Sequence, residues 1–492
     1  MKNYPGLKDL ALLLVLAFLG IPVHGYHPAV EDAEIYLPGI KKALNPSLYP
    51  HNSAFFTSHA RMTFFPNLAA AFVRESHLSL DWAVFILHLL SIFLLLLGCW
   101  HLGRLAFPDA RARWGGVALV AALLTIPVAG TALYIMDEYL TTRSFSTPAV
   151  LFIVVNFVER KFLRAALWAV FTAVIHPLMV VFGLAYVVGF LCLSHWHSAL
   201  ANSRKRVMTA AALLLPFGLF PPVTDGYREV LDTRPYFFVL RWHWYEWLGI
   251  FGPLVLLWWF RSIAHRQGLA VLEQMSFSAV VFTLVFLLVT LVITVPPRLA
   301  NLAELQPMRC LHLVYILLFA FGGSLLAEWV LKDRAWRWAI LFVPLCAGMT
   351  YAQLLLFPST PHLEWPGSVP GNDWVRAFLW IRQNTPQDAY FALNPQHMAL
   401  PGEDQHGFRA IAERSMLADD VKDSGAVSMF PALAGSWREQ VHAQMGWTDF
   451  RPADFHRLKQ TFGVDWVVVD SSRQIGLACP YQNRTVAVCR LE

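Results

Sequence analysis

Apolar runs recur along this chain from Leu10 to Leu356, and clusters of Lys and Arg punctuate them. That alternation constrains the fold more than any other feature, because backbone immersed in lipid has to close its hydrogen bonds within helices or a closed barrel. With 57% hydrophobic and 14% charged residues, a chain of 492 residues has too little polar surface for a soluble globule. The expected fold class is a polytopic α-helical membrane protein. The formal charge of +5 then reports topology, and no nucleic-acid partner is expected.

Taking the basic clusters as cytoplasmic gives a consistent path. The first run, about Leu10–Val23, follows Lys2 and Lys8 and is short for a span. It also has the layout of a signal peptide with a weak cleavage site, and on either reading Tyr26 onward lies outside. Further spans are expected near Trp82–Trp100, Trp114–Gly130, Ser146–Val158, Val207–Phe220, Trp247–Phe260, Phe277–Val295, Cys310–Leu326 and Trp338–Leu356. From Ala165 to Leu193 the chain is apolar around His176-Pro177, with basic flanks at Arg160–Arg164 and Arg204–Arg206. Two cytoplasmic flanks call for two crossings with a reversal at that proline, rather than one kinked helix. The sum is about eleven spans, N-terminus in and C-terminus out.

Residues 1–357 thus form a transmembrane domain with outer loops at 24–81, 131–145, 221–246 and 296–309. The first loop carries five prolines, too many for a single helix, and Phe64–Val73 suits an interfacial helix. The aromatic and charged stretch Pro221–Glu246 suits an amphipathic helix at the outer interface. From 358 to 492 the composition becomes that of a small extracytoplasmic α/β domain. A helix is expected over Asp373–Gln383, and strands over Ala389–Leu393, Trp466–Val469 and Thr485–Arg490. Cys479 and Cys489 are the only cysteines in this tail and bracket a turn, so a disulfide is expected in an oxidising compartment. Zinc spacings, a GxSxG elbow and Gly-rich phosphate loops are absent from the sequence.

Ionisable residues gather on the outer side of this topology. Glu31, Asp32 and Glu34 follow the first span; Asp137 and Glu138 follow the third, with Arg143 just beyond. Arg228, Arg234, Arg298 and Arg309 fall on the same side. Each has an ordinary explanation as a solvated acid, a lipid-pairing arginine or, for Asp137-Glu138 with Arg143, a structural bridge. His176 beside its proline reads as a hydrogen-bonded turn residue or as a ligand. Together they suit a ligand with phosphate and hydroxyl groups, since Arg holds phosphate and a carboxylate accepts a hydroxyl proton.

The layout resembles the GT-C superfamily of integral-membrane glycosyltransferases, which includes protein mannosyltransferases, aminoarabinose transferases and oligosaccharyltransferase catalytic subunits. The shared features are the first-loop acids, the acids after the third span, short or broken spans and an outer C-terminal domain. Trp380–Ala389 and Phe462–Val469 also look like the soluble domain of many bacterial relatives. The resemblance implies a multi-pass protein of the inner (plasma) membrane that takes sugar from a polyprenyl-phosphate donor and passes it to an extracytoplasmic acceptor. It implies catalysis by Asp32, with Glu31 as the alternative. Glu34, Asp137, Glu138, Arg143, His176, Arg234, Arg298 and Arg309 become substrate-binding candidates. The second acidic site binds a metal in some branches; the order here is Glu-Asp-x-Glu rather than Asp-x-Asp, which leaves a divalent metal open. The competing readings are a transporter or polymer exporter and a non-catalytic assembly protein. Charges at segment ends and the lack of two related halves weigh against transport.

Overall fold

The computed structural model describes residues 4–200, 223–473 and 476–491; the side chains of residues 195–200 and 298 are outside that description. The expected span Val207–Phe220 and the cluster Arg204–Arg206 lie outside the described residues. Among the described residues, seven helices are long and apolar enough to cross a membrane, and two shorter apolar helices accompany them.

The chain opens with α1 (Leu7–His24), then three short helices instead of one loop: α2 (Ala33–Leu44), α3 (Ala54–Arg61) and α4 (Phe65–Ser76). Next come α5 (Leu80–Ala106) and α6 (Ala110–Ala122). The span expected over Trp114–Gly130 is shorter than its apolar run. Pro127 lacks the N–H that a continuing helix needs, and the chain turns back through a small bridge between Pro127 and Tyr134. This buried return is held by the ring N–H of His312, which donates to the carbonyls of Tyr134 and Ile135 at 3.0 and 3.1 Å. Irregular backbone among membrane helices is tolerated where protein surrounds it. It carries Asp137 and Glu138 inward.

The membrane helices continue with α7 (Thr142–Val158), α8 (Phe162–Ile175) and α9 (Pro177–Leu200). Phe152 stacks on Trp168 and Phe157 meets Phe162, so α8 runs antiparallel to α7. His176 is extended, as the residue before a proline prefers. Past it, Gly183 lies against Val150 and Ile153, so α9 runs back beside α7. The apolar stretch is two helices with a reversal at His176.

In place of one amphipathic helix over Pro221–Glu246 there is a single eight-residue helix, α10 (Asp225–Asp232), followed by two 3-10 turns. Pro235 and the extended Phe238 interrupt any longer helix. Then follow α11 (Trp244–Gln267), α12 (Ala270–Thr294), 3-10 turns over Pro297–Leu305 and Pro307–Cys310, α13 (Leu311–Leu326) and α14 (Ala335–Leu356). α6 and α13 cross at very close range: a Cβ built on Gly115 would sit 2.4 Å from the Gly323 carbonyl, and one on Gly116 2.4 Å from the Ala320 carbonyl. Small residues at such a crossing gain the van der Waals contact that holds helices together in lipid.

The tail adds α15 (Asp373–Asn384), β1 (Tyr390–Ala392), α16 (Phe408–Ala412), β2 (Ser415–Met416), α17 (Asp423–Met429), β3 (Trp466–Asp470), β4 (Ala478–Gln482) and β5 (Val486–Arg490), with further short helices between α17 and β3. The sheet order is β2-β1-β3-β5-β4; β1 pairs in parallel with β2 and β3, and β5 runs antiparallel to β3 and β4. Cys479 and Cys489 are bonded across β4 and β5.

The sheet domain is packed tightly on the segment between α1 and α2. Backbone N–H groups of Tyr26, Glu31, Glu364 and Gly407 donate to carbonyls of His362, Gln405, Tyr26 and Ala29 respectively, all within 3.1 Å. These four bonds fix the backbone of residues 26–31, from which the first-loop acids project.

Candidate active site

Asp32 stands at the head of α2, where its carbonyl accepts from the N–H groups of Ile35 and Tyr36. Its neighbour Glu31 takes a left-handed backbone (φ 53°), an unusual conformation for a residue with a side chain. The bend sends Glu31 and Asp32 toward the membrane helices and the loop before α17. Asp32 is 31% exposed, and both its oxygens have cationic partners. Arg143 Nη2 donates to Oδ2 at 3.0 Å, and Lys422 Nζ lies 3.3 Å from Oδ1. Lys422 also contacts Glu31 Oε2 directly.

Arg143 is placed by the start of α7. Thr141 caps that helix, accepting from the Arg143 N–H at 3.2 Å, while the Thr141 N–H donates to Ser144 Oγ at 3.0 Å. From there the guanidinium bridges Asp32 to Asp137, donating to Asp137 Oδ2 through Nε at 3.2 Å and Nη2 at 3.0 Å. Asp137 is only 5% exposed. The bridge therefore joins the two acidic loops, one third open on the Asp32 side and dry on the other.

Electrostatics separates these carboxyls. Burial alone would raise Asp32, but Lys422, Arg143 and Arg309 outweigh it and hold the group well below the usual carboxylate range. Burial pushes Asp137 upward despite Arg143. Glu138, also buried, is pushed up to about 8 and is neutral at pH 7; its Oε1 has no hydrogen-bond partner among the described residues. Asp32 thus stays ionised beside two carboxyls that are harder to ionise.

Around Asp32 lies a polar ring. Thr142 Oγ1 donates to the Tyr36 hydroxyl at 3.2 Å, and the Tyr36 ring meets His59 edge-on at 5.2 Å. Burial lowers His59 to about 4, so it is neutral. Arg309 is half-buried, and its charge acts on Asp32, His59 and His176. Its Nε has no hydrogen-bond partner among the described residues. Tyr36 also packs against Phe65 at 6.1 Å, and Phe65 opens a cavity of about 600 Å³ lined by Leu87, Phe145, Phe152, Trp168 and Phe171. An apolar groove therefore starts one aromatic ring away from the charged cluster.

The candidates read from the sequence divide into those brought together and those not. Asp32, Glu31, Asp137, Arg143, His176 and Arg309 share one neighbourhood, with Glu138 buried behind it. Glu34 does not: it is fully buried, accepts from the N–H groups of Arg409 and Ala410 at 3.0 and 2.9 Å, and pairs with the Arg409 guanidinium. Gly407 makes this approach feasible, since a Cβ there would lie 2.3 Å from Glu34 Oε2. Arg234 Nη2 donates to the Val421 carbonyl and to Ser424 Oγ on the loop that bears Lys422, while its Nε has no hydrogen-bond partner among the described residues. Glu34 thus ties α2 to the sheet domain, and Arg234 steadies the loop that carries Lys422. The Arg298 side chain lies outside the described residues.

Lys422 and Arg409 were not singled out from the sequence. Arg409 had a signal: a lone arginine within the apolar run Phe408–Ala412 must find a buried partner. It pairs with Asp423, Asp419 and Glu34. Lys422 had none, as Asp419–Asp423 reads like any solvated charged loop.

A family model described as a domain of unknown function (DUF6798) matches residues 372–424, from the cap of α15 to the first turn of α17, just past Lys422. Comparison with curated protein sequences gives no match. Among solved structures, the archaeal oligosaccharyltransferase AglB from Archaeoglobus fulgidus, in complex with an inhibitory peptide and a dolichol-phosphate, is similar to this chain. The alignment covers 95% of this chain and 70% of that one, at 12% identity and a TM-score of 0.49.

Proposed function

We propose that this protein is a GT-C-like membrane glycosyltransferase that moves a sugar from a polyprenyl-phosphate donor to an acceptor outside the cytoplasm. In this reading it spans the plasma membrane about eleven times and presents the sheet domain on the outer side. The observation that carries the reading is a convergence. An ionised, partly open carboxylate (Asp32) and an arginine with an unpartnered Nε (Arg309) stand near Tyr36, whose ring meets Phe65 in the wall of an apolar groove. A lipid phosphate needs those two surroundings together, a cation for its head and an apolar channel for its tail.

In the transfer, the acceptor oxygen bonds to the anomeric carbon while the bond from that carbon to the phosphate oxygen breaks. The lipid phosphate leaves with the electron pair, and Arg309 stabilises the charge that develops there. Asp32 accepts the hydrogen bond of the acceptor and takes its proton late, as a strongly acidic carboxyl does. Arg143 and Asp137 position Asp32, and Glu31 is the neighbouring acceptor for the same proton.

The test compares a polyprenyl phosphate with the corresponding polyprenol, each titrated into the purified protein in nanodiscs. The phosphate is expected to bind about tenfold or more tightly, and R309Q to lose about that tenfold while leaving polyprenol binding unchanged. Equal affinity for the two lipids in the native protein would contradict the reading.

A further inference from the structure

The acidic pair of the first loop carries a cation of its own. Lys422 Nζ sits against Glu31 Oε2 and 3.3 Å from Asp32 Oδ1, while Arg143 occupies Asp32 Oδ2 at 3.0 Å. Three of the four oxygens of the pair are thereby engaged by protein cations. The lysine side chain is 10% exposed, against 32% for Glu31, so the ammonium lies beneath the carboxylates.

The loop that delivers Lys422 is fixed from both sides. Asp419 Oδ1 accepts from the N–H groups of Lys422 and Asp423, and Asp423 is clamped by Arg409, which in turn holds Glu34, two residues past Asp32. On the other side Arg234 grips Val421 and Ser424. An ammonium on so rigid a mount is a fixed part of the site.

A divalent metal does not fit this arrangement. Mg²⁺ or Mn²⁺ bridging Glu31 and Asp32 would stand beside two positive charges, Lys422 and Arg143, that already hold three of the pair's four oxygens. We infer that Lys422 is the resident cation of the Glu31–Asp32 pair, so that the sheet domain supplies the charge a metal would otherwise bring. Lys422 is in these terms a positioning residue: it fixes both carboxylates and touches the ligand through them. The inference stands apart from sugar transfer and holds whatever the ligand is.

Mn²⁺ binding to the full chain in nanodiscs, followed by electron paramagnetic resonance, tests it without any activity assay. The native protein and K422R are expected to bind no Mn²⁺ that E31Q abolishes. K422M is expected to gain one bound Mn²⁺, and E31Q/K422M to lose it. A native protein that binds Mn²⁺ through Glu31 with its lysine intact overturns the inference, and that arm requires no lysine variant to fold. A folded K422M that gains no Mn²⁺ overturns it as well.

Discussion

Asp32 and Glu34 are two residues apart, and each meets a cation from the sheet domain, Lys422 for Asp32 and Arg409 for Glu34. Their surroundings nevertheless differ in kind. Glu34, with Arg409, Asp419 and Asp423, is sealed from solvent, each side chain 1% exposed or less. Burial pushes Glu34 up to about 8 against the pull of Arg409. Asp32 is 31% exposed and held ionised, beside an arginine with an unpartnered nitrogen. The first cluster ties α2 to the sheet domain, and the second is open to solvent. Solvent access, more than residue type, separates a latch from a site, since identical charge pairs behave oppositely when dry and when wet.

The comparison can be broken at the latch. Arg409→Met leaves three buried carboxyls without their cation, and should destabilise the protein by about 3–5 kcal/mol. The expected readouts are a lower thermal midpoint and rapid proteolysis between the sheet domain and the membrane helices. A variant as stable as the parent would mean that the network contributes nothing to docking.

At the site the pattern reverses. Asp32→Asn removes charge from a partly exposed group and should cost about 1 kcal/mol of stability or less. Sugar transfer, measured as polyprenyl phosphate released, should fall by about 10²–10⁴-fold. Unchanged transfer would remove Asp32 from catalysis, and a large loss of stability would make it a second latch.

A weaker effect is expected from a second buried cluster, Glu364 with two histidines, which also holds the first loop. His406 Nε2 and His27 Nδ1 each lie 3.3 Å from Glu364, and the Glu403 carbonyl and carboxyl also face His406. Burial alone would raise Glu364, but the two histidines bring it down to about 2; burial would lower His406, but Glu364 brings it up to about 9. The carboxylate contribution is present above pH 4.5 and lost as pH falls toward 2. The histidine contribution is complete below pH 6.5 and lost as pH rises through 9. Docking should therefore be firmest between pH 4.5 and 6.5 and weaken toward pH 9 by on the order of 1 kcal/mol. His406→Gln should flatten the alkaline limb of the midpoint-versus-pH curve. A parent curve that rises from pH 6.5 to 9 would contradict this assignment.

How much of this was legible in the sequence depended on distance along the chain. Local signals worked well: the break at His176-Pro177 and the strand near Trp466 follow from proline geometry and β-branched runs. Helix ends were less legible, because Trp114–Gly130 is apolar throughout and hydropathy does not report the turn at Pro127. The site was half legible. Acids at two span exits pointed to one neighbourhood, yet the spacing of Glu31, Asp32 and Glu34 could not show that the left-handed bend at Glu31 divides them between two environments. Partners hundreds of residues away, such as Lys422 for Glu31 and Arg409 for Glu34, leave no periodic trace. Arg234 looked like a free outer cation for the same reason, its acceptors being a backbone carbonyl and a serine of the distant loop.

The most direct test is an electron cryo-microscopy structure of the full chain with a polyprenyl phosphate bound. The phosphate is expected within hydrogen-bond reach of Arg309, on the open side of Asp32, with the tail entering the groove lined by Phe65, Phe145 and Phe171. A phosphate bound away from Asp32 and Arg309, with the tail outside that groove, would contradict the proposed transfer site.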